Sequence, residues 1–189
     1  MDDTELHLGL NQLRECIRTR DDDEVENVLM ELESATLEMD HWPEDFFDGL
    51  EQLMKDQEFL SLGKSWKLFY FINNNWEQIP EPKKESLRPT LAEAFDNCGD
   101  WMGAFVIGEI LGKYYADERT LAILGKLAKA QHLHWKELVP HALETLAKTT
   151  TQSSLHSLAI LELQKLKEHD SEYVREEAAL SLAKLGLTA

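Results

Sequence analysis

Apolar residues recur every three or four positions along most of the chain, and no window alternates polar and apolar residues over six or more. A period near 3.6 gathers such residues on one face of an α-helix, whereas a half-buried strand needs a period of two. The spacing predicts about ten helices and no strand. The first runs from near Thr4 to Arg20, with Leu6, Leu10, Leu13 and Ile17 on one stripe. The second, Asp22 to Met39, carries Val25, Val28, Leu29, Leu32, Ala35 and Met39 on one face. Asp21, Asp22 and Asp23 stand at its start, where carboxylates cap free N–H groups and suit the helix dipole. Pro43 fits the first turn of a third helix reaching Glu58, and an aromatic-rich fourth spans Gly63 to Asn74. Six more follow at Glu85–Cys98, Asp100–Tyr114, Asp117–Ala130, Leu133–Lys148, Ser153–His169 and Glu172–Leu185. Gly99 and Gly186 stand where helix ends call for a left-handed residue.

The connections are short, so consecutive helices must pack antiparallel. The longest turn-rich stretch, "NNNWEQIPEPKKE", marks a soft boundary at 73–84 within an otherwise single domain spanning residues 1–189. Beyond it a repeat emerges. Leu87, Leu121 and Leu155 stand 34 residues apart, each early in the first helix of a pair. Trp101 and Trp135 are also 34 apart, each opening the second helix of a pair, and Tyr173 takes that place 38 residues on. Two helices per unit and a period in the thirties mark an α-solenoid.

"SEYVREEAALSLAKLG", residues 171–186, resembles the second helix of HEAT-like repeats: a polar cap, then Val-Arg, then an Ala-rich stretch closing on Leu-Gly. "LVPHALETLA" resembles the variant of that helix with an early proline. The resemblance is clearest over residues 117–186, weak over 84–114 and nearly absent in 1–62. It implies an all-α, right-handed αα-repeat solenoid of about five antiparallel helix pairs, the N-terminal pairs divergent. It also implies that Val174, Ala178 and Ala179 are core and that Arg175 is a structural ion-pair partner.

Charge changes the picture most. The net charge is −17, and residues 1–62 hold 19 acidic against 4 basic side chains, while residues 63–189 are near balance with 17 and 15. Such a field repels nucleic acid and anionic membranes and steers basic partners in. No run approaches the ~18 apolar residues of a membrane span, and the N-terminus lacks the basic and apolar regions of a signal peptide. A cytoplasmic protein is therefore expected, with Cys16 and Cys98 as buried free thiols.

Candidate chemistry is thin. His132, His134 and His141 cluster in sequence, but His134 and His141 lie two helical turns apart, about 10 Å at 1.5 Å per residue, too far for one ion. "DDDE" at 21–24 lacks the glycine that a calcium loop needs at its sixth position, where Glu26 stands. There is no Gly-rich phosphate loop and no Gly-x-Ser-x-Gly elbow. The expectation is no catalytic residue, no metal and no cofactor.

What remains is the acidic third. Glu24, Glu31 and Glu38 recur every seven residues on one face of the second helix, and Asp23, Trp42, Asp45 and Asp48 extend the patch. These seven residues are the candidate contacts of a small acidic inhibitor, similar to bacterial immunity proteins, that occludes a basic site on a cognate toxin or enzyme. Trp42 is the candidate desolvated anchor. Such a protein would be a monomer, or a heterodimer with its partner. The rival is a HEAT-like scaffold that binds through its concave face with Trp101, Trp135 and Tyr173. A further rival, by resemblance to the chromophore-lyase branch of HEAT-like proteins, is an enzyme that would carry a bound tetrapyrrole.

Overall fold

The computed structural model describes residues 3–130 and 135–187. Among them it contains eleven α-helices, two short 3-10 turns and no strand. The helices are α1 (Asp3–Thr19), α2 (Asp22–Thr36), α3 (Glu44–Lys55), α4 (Gln57–Leu60), α5 (Trp66–Asn74), α6 (Glu81–Asn97), α7 (Trp101–Tyr114), α8 (Glu118–Leu127), α9 (Val139–Thr149), α10 (Ser153–Leu166) and α11 (Glu172–Lys184). The all-α expectation holds, and most boundaries fall within a few residues of those the periodicity predicts.

The second predicted helix ends at Thr36 and not at Met39, which leaves Glu38 in the turn beyond it. Three further boundaries differ, each for a local reason. The third predicted helix is cut at Lys55 because Asp56 leaves helical geometry and its carboxylate accepts from the N–H groups of Glu58 and Phe59, starting α4. The fifth starts at Glu81 rather than Glu85, since Pro82 sits in the first turn, where its missing N–H costs nothing. The eighth starts at Val139 with Pro140 in its first turn, after a 3-10 turn at Lys136–Leu138. Trp135 therefore precedes this helix and does not open it as Trp101 opens α7. Leu133, His132 and His134 lie outside the described residues.

Two chain reversals are also read differently. Gly99 does not take a left-handed conformation; Arg20, at φ 56°, does, ending α1 and turning the chain into α2. Gly186, at φ 77°, closes α11 as expected, and the Leu187 N–H donates back to the Leu182 carbonyl at 2.9 Å.

The chain divides into two compact units, Met1–Val106 and Ile107–Ala189, the division falling within α7. In the first unit α1 packs on α2, α3 and α4, α2 on α5, and α3 on α4 and α6. Its core is aromatic and leucine-rich: Leu6, Leu10 and Leu13 of α1, Phe46, Phe47 and Leu50 of α3, Phe59, Phe69 and Phe95 are all at most 2% exposed. Each such side chain stabilises the fold by roughly 1.5–3 kcal/mol on burial.

The turn-rich stretch at 73–84 lies inside this unit. Trp76 and Ile79 are buried there, the Trp42 N–H donates to the Gln78 carbonyl at 2.7 Å, and the Gln78 side-chain amide donates to the Thr36 carbonyl at 3.1 Å. Buried side chains and backbone hydrogen bonds hold this segment in place.

In the second unit α9 packs on α8, α10 and α11, α10 packs on α8 and α11, and the turn at Lys136–Leu138 packs on α11. Leu124, Leu143, Leu146, Leu155, Leu163 and Val174 form its core. The backbone at Gly112 meets α9 so closely that a methyl group there would lie 2.6 Å from the Ala142 carbonyl oxygen. Val174 and Ala178 are buried as the HEAT-like pattern implies, but Ala179 is exposed, one position round the helix from the buried stripe. Arg175 is expected to pair with an acid; among the described residues its guanidinium instead donates to the carbonyls of His169 and Asp170 at 2.7 and 2.9 Å. It thus satisfies backbone acceptors in the turn between α10 and α11.

Candidate functional site

The acidic residues of the first unit fall into two groups. The larger group is used internally. Asp21 accepts from the Glu24 N–H at 3.1 Å and caps α2, and Asp22 accepts from the Gly63 N–H at 2.8 Å. Asp23 and Glu26 both receive Lys64, at 2.9 and 2.6 Å, and Lys67 adds a second cation on Glu26 at 2.7 Å. Hydrogen bonds from Lys64 and then Lys67 hold the Glu26 carboxyl down at about 2, and Glu26 and then Asp23 push the Lys64 ammonium up. Asp45 lies 3.1 Å from His7, Asp48 receives Lys83 at 2.6 Å, and Glu51 receives Lys55 at 2.7 Å.

So Asp23, Asp45 and Asp48, three of the seven expected partner contacts, already have partners within the unit. Most of the cations concerned come from residues 64–83, beyond the acidic third. The aspartates at 21–23 cap α2, tie down Gly63 and bind Lys64. Among the described residues no cluster of three or more His, Cys, Asp or Glu side chains has the geometry for a metal.

The second group faces outward without a cation. Glu31 and Glu38 are exposed and meet no partner among the described residues, and Glu24 only accepts from the Asn27 amide at 3.3 Å. Glu24 and Glu31 stand two turns apart on the outer face of α2, whereas Glu38, expected on the same face, lies in the turn after the helix, which ends at Thr36.

Trp42 does not join them. It is 2% exposed, stacks on Phe71 at 4.9 Å between ring centroids with an 8° interplanar angle, and meets Phe46 edge-on at 5.5 Å. The indole is part of the core and offers no face to a partner. The sequence places it between a histidine and a proline in a short break, a setting that reads as surface, and only the fold shows the aromatic box around it.

Beside the outward stripe runs a groove of about 300 Å³ between α1 and α2. Glu5, Leu8, Gly9 and Gln12 line it from α1, and Val28, Glu31, Leu32 and Ala35 from α2. Leu8 is 59% exposed at its edge. On the other flank of the carboxylates Met30 of α2 is 53% exposed, and Leu37, which caps the end of α2, is 73% exposed. Sequence reasoning passed over these three. The available signal was that each lies off the apolar stripe of its own helix, so that burial of the stripe leaves it outside.

The residues of the alternative surface divide between the units. Trp101 in the first is half exposed and meets Phe105 edge-on at 6.1 Å. In the second, Trp135 is half-buried and Tyr173 is 72% exposed. His141 sits with its ring 3.8 Å from the Glu109 carboxylate. Cys16 and Cys98 are free and buried, and burial pushes both thiols up, Cys98 to about 12, which leaves them unreactive. No described helix is long and apolar enough to cross a membrane.

Comparison with protein-family models, curated proteins and solved structures finds no match to this chain.

Proposed function

We propose that the chain is a non-enzymatic protein-binding protein: an acidic inhibitor that seats the Glu24–Glu31–Glu38 face over a basic site on a cognate toxin or enzyme, as immunity proteins do. The observation that carries this reading is the division of the carboxylates. Where the first unit needs its acids for structure, it supplies caps and lysines. For Glu24 and Glu31 on the outer face of α2, and for Glu38 in the turn that follows it, it supplies neither, and uncompensated like charges cost stability through self-repulsion. A basic partner would relieve that repulsion, and the same field would accelerate the encounter. Two buried free thiols fit a reducing cytoplasm as the place of action.

The packing within each unit supports an αα-solenoid arrangement. In the first, α3 packs on both α1 and α6 while α2 packs on α5. In the second, α8 packs on α10 and α9 on α11. First helices touch first helices and second helices touch second helices, as stacked αα pairs require, with α4 as an inserted turn.

The test is an affinity capture from lysate of the source organism, washed with salt rising from low to high, with the eluted proteins identified. The expected result is one basic protein in equimolar amount, released as salt rises and lost when Glu24, Glu31 and Glu38 are changed together to Lys. A partner indifferent to both salt and the triple change refutes the inhibitor reading.

A second reading, a scaffold, is favoured by the exposure of Trp101 and Tyr173. It predicts that Trp101→Ala, Trp135→Ala and Tyr173→Ala weaken capture while the triple Glu→Lys change spares it.

A further inference from the structure

The groove between α1 and α2 combines features that a solvated acidic face does not need. It has an apolar floor of Val28 and Leu32, an exposed leucine at its edge, and carboxylates on both walls, Glu5 from α1 and Glu31 from α2. Among the described residues Glu5 and Glu31 meet no internal cation, in contrast to the lysine-bound acids elsewhere in the unit. The lining on each helix covers two turns, Glu5 to Gln12 and Val28 to Ala35, so the groove is about 10 Å long at 1.5 Å per residue. That length holds side chains spaced i, i+3 or i+4, and i+7 on one face of an α-helix. Nucleic acid and anionic lipid are repelled by the walls, and no sheet edge is available among the described residues to pair an extended strand.

We infer that the α1–α2 groove is the seat of a single basic amphipathic helix of the partner, its apolar stripe lying between Leu8 and Ala35 and its lysines and arginines pairing with Glu5 and Glu31. The inference rests on the reading of the α2 face as a docking surface for a basic protein, and it names the segment recognised. The groove wall supplies the apolar contact that gives such a complex its lifetime, and the carboxylates supply register and on-rate.

The probe is a fluorescent 18-residue peptide with leucines at helical spacing and lysines on the flanks, compared with a scrambled peptide of the same composition. Binding is read by anisotropy at low salt. The parent protein is expected to bind the amphipathic peptide at least tenfold more tightly than the scrambled one. Ala35→Trp, which fills the groove without touching a charge, is expected to weaken that binding at least tenfold. Leu8→Ser at the exposed edge is expected to do the same, and circular dichroism checks that both variants remain helical. A Leu158→Ser variant in the second unit should bind as the parent does.

Equal binding of the two peptides, or parent-like binding by both groove variants, overturns the inference. If the groove variants bind normally while Glu24→Lys/Glu31→Lys/Glu38→Lys does not, the groove is excluded and the acidic-face reading stands. If the triple variant also binds as the parent does, both fall.

Discussion

Lys64 Nζ lies 2.6 Å from Glu26 Oε2 across 38 residues of sequence, and Lys67 closes on the other oxygen of the same carboxylate at 2.7 Å. This pairing ties the segment before α5 to α2, and it has a consequence in acid. The Glu26 carboxyl ionises at about 2 instead of 4.5, chiefly through its hydrogen bonds to Lys64 and then Lys67. A depressed carboxylate contributes stability that is fully present above its unfolded value, near 4.5, and is lost as pH falls through the folded one. Urea midpoints of the parent and Glu26→Gln are therefore expected to differ at neutral pH and to converge toward pH 2. The pair is open to solvent, so the difference should also shrink in high salt. A difference that is the same at both ends of the pH range would show that Glu26 acts through packing alone.

Trp42 predicts a stability effect in place of a binding effect. Its ring is buried among Phe46, Phe47 and Phe71. Trp42→Ala is expected to destabilise the fold by about 3–5 kcal/mol, as large-to-small core changes do. Trp42→Phe should cost much less, because it keeps a ring against Phe71 and removes an indole N–H that is buried without a hydrogen-bond partner. Urea unfolding of the two variants measures both. A parent-like Trp42→Ala would contradict the packing described here.

Gly112 and Gly125 are both helical glycines, and the structure predicts opposite outcomes for the same change. At Gly112 a Cβ would lie 2.6 Å from the Ala142 carbonyl oxygen and 2.9 Å from the Leu146 nitrogen, both backbone atoms that cannot swing aside. Gly112→Ala is expected to cost about 1–3 kcal/mol by forcing α7 and α9 apart. At Gly125 a Cβ would meet no described atom within 4 Å beyond its chain neighbours and its own helix backbone. Gly125→Ala should add about 0.5–1 kcal/mol, since alanine is the better helix former and restricts the unfolded chain. Thermal or urea melts of the two variants should move in opposite directions.

These contrasts show what the sequence could and could not carry. The helical period was legible because amphipathic burial imposes it residue by residue, and the placing of Glu24 and Glu31 on one face of α2 was legible for the same reason, while Glu38 falls beyond the helix end because the period alone does not mark where a helix stops. Val174 and Ala178 followed from a local pattern. The ion pairs of Asp23 and Asp48 were not legible, because Lys64 and Lys83 come from 41 and 35 residues further on. The groove was hidden too, since it belongs to two helices at once and neither helix alone marks it. Arg20 escaped notice because the turn after α1 adopts a left-handed residue without the glycine that usually announces one.

Glu144 offers the sharpest electrostatic test. Its side chain is 4% exposed on α9, and it pairs with Lys148 of the same helix and with Lys184 of α11 at 3.5 Å. Burial by itself raises this carboxyl. Lys148 and Lys184, with a hydrogen bond from Ser181, more than offset that and hold it below the usual carboxylate range. In the parent, then, Glu144 contributes stability above the unfolded carboxylate value and loses it as pH falls. Replacing both lysines by alanine should reverse the sign. The carboxylate would stay buried with no cation, at a cost of about 3 kcal/mol at neutral pH, and burial would then raise its pKa above the unfolded value. A raised carboxyl gains stability as pH falls, so the double variant should recover part of its loss between pH 7 and pH 4. Adding Glu144→Gln to the double variant should recover most of the loss at neutral pH and abolish that pH dependence. Urea unfolding of the parent, double and triple variants at the two pH values measures this. A double variant whose deficit stays constant with pH would mean that water or another donor reaches the carboxylate, and that the two lysines are not what keeps Glu144 ionised.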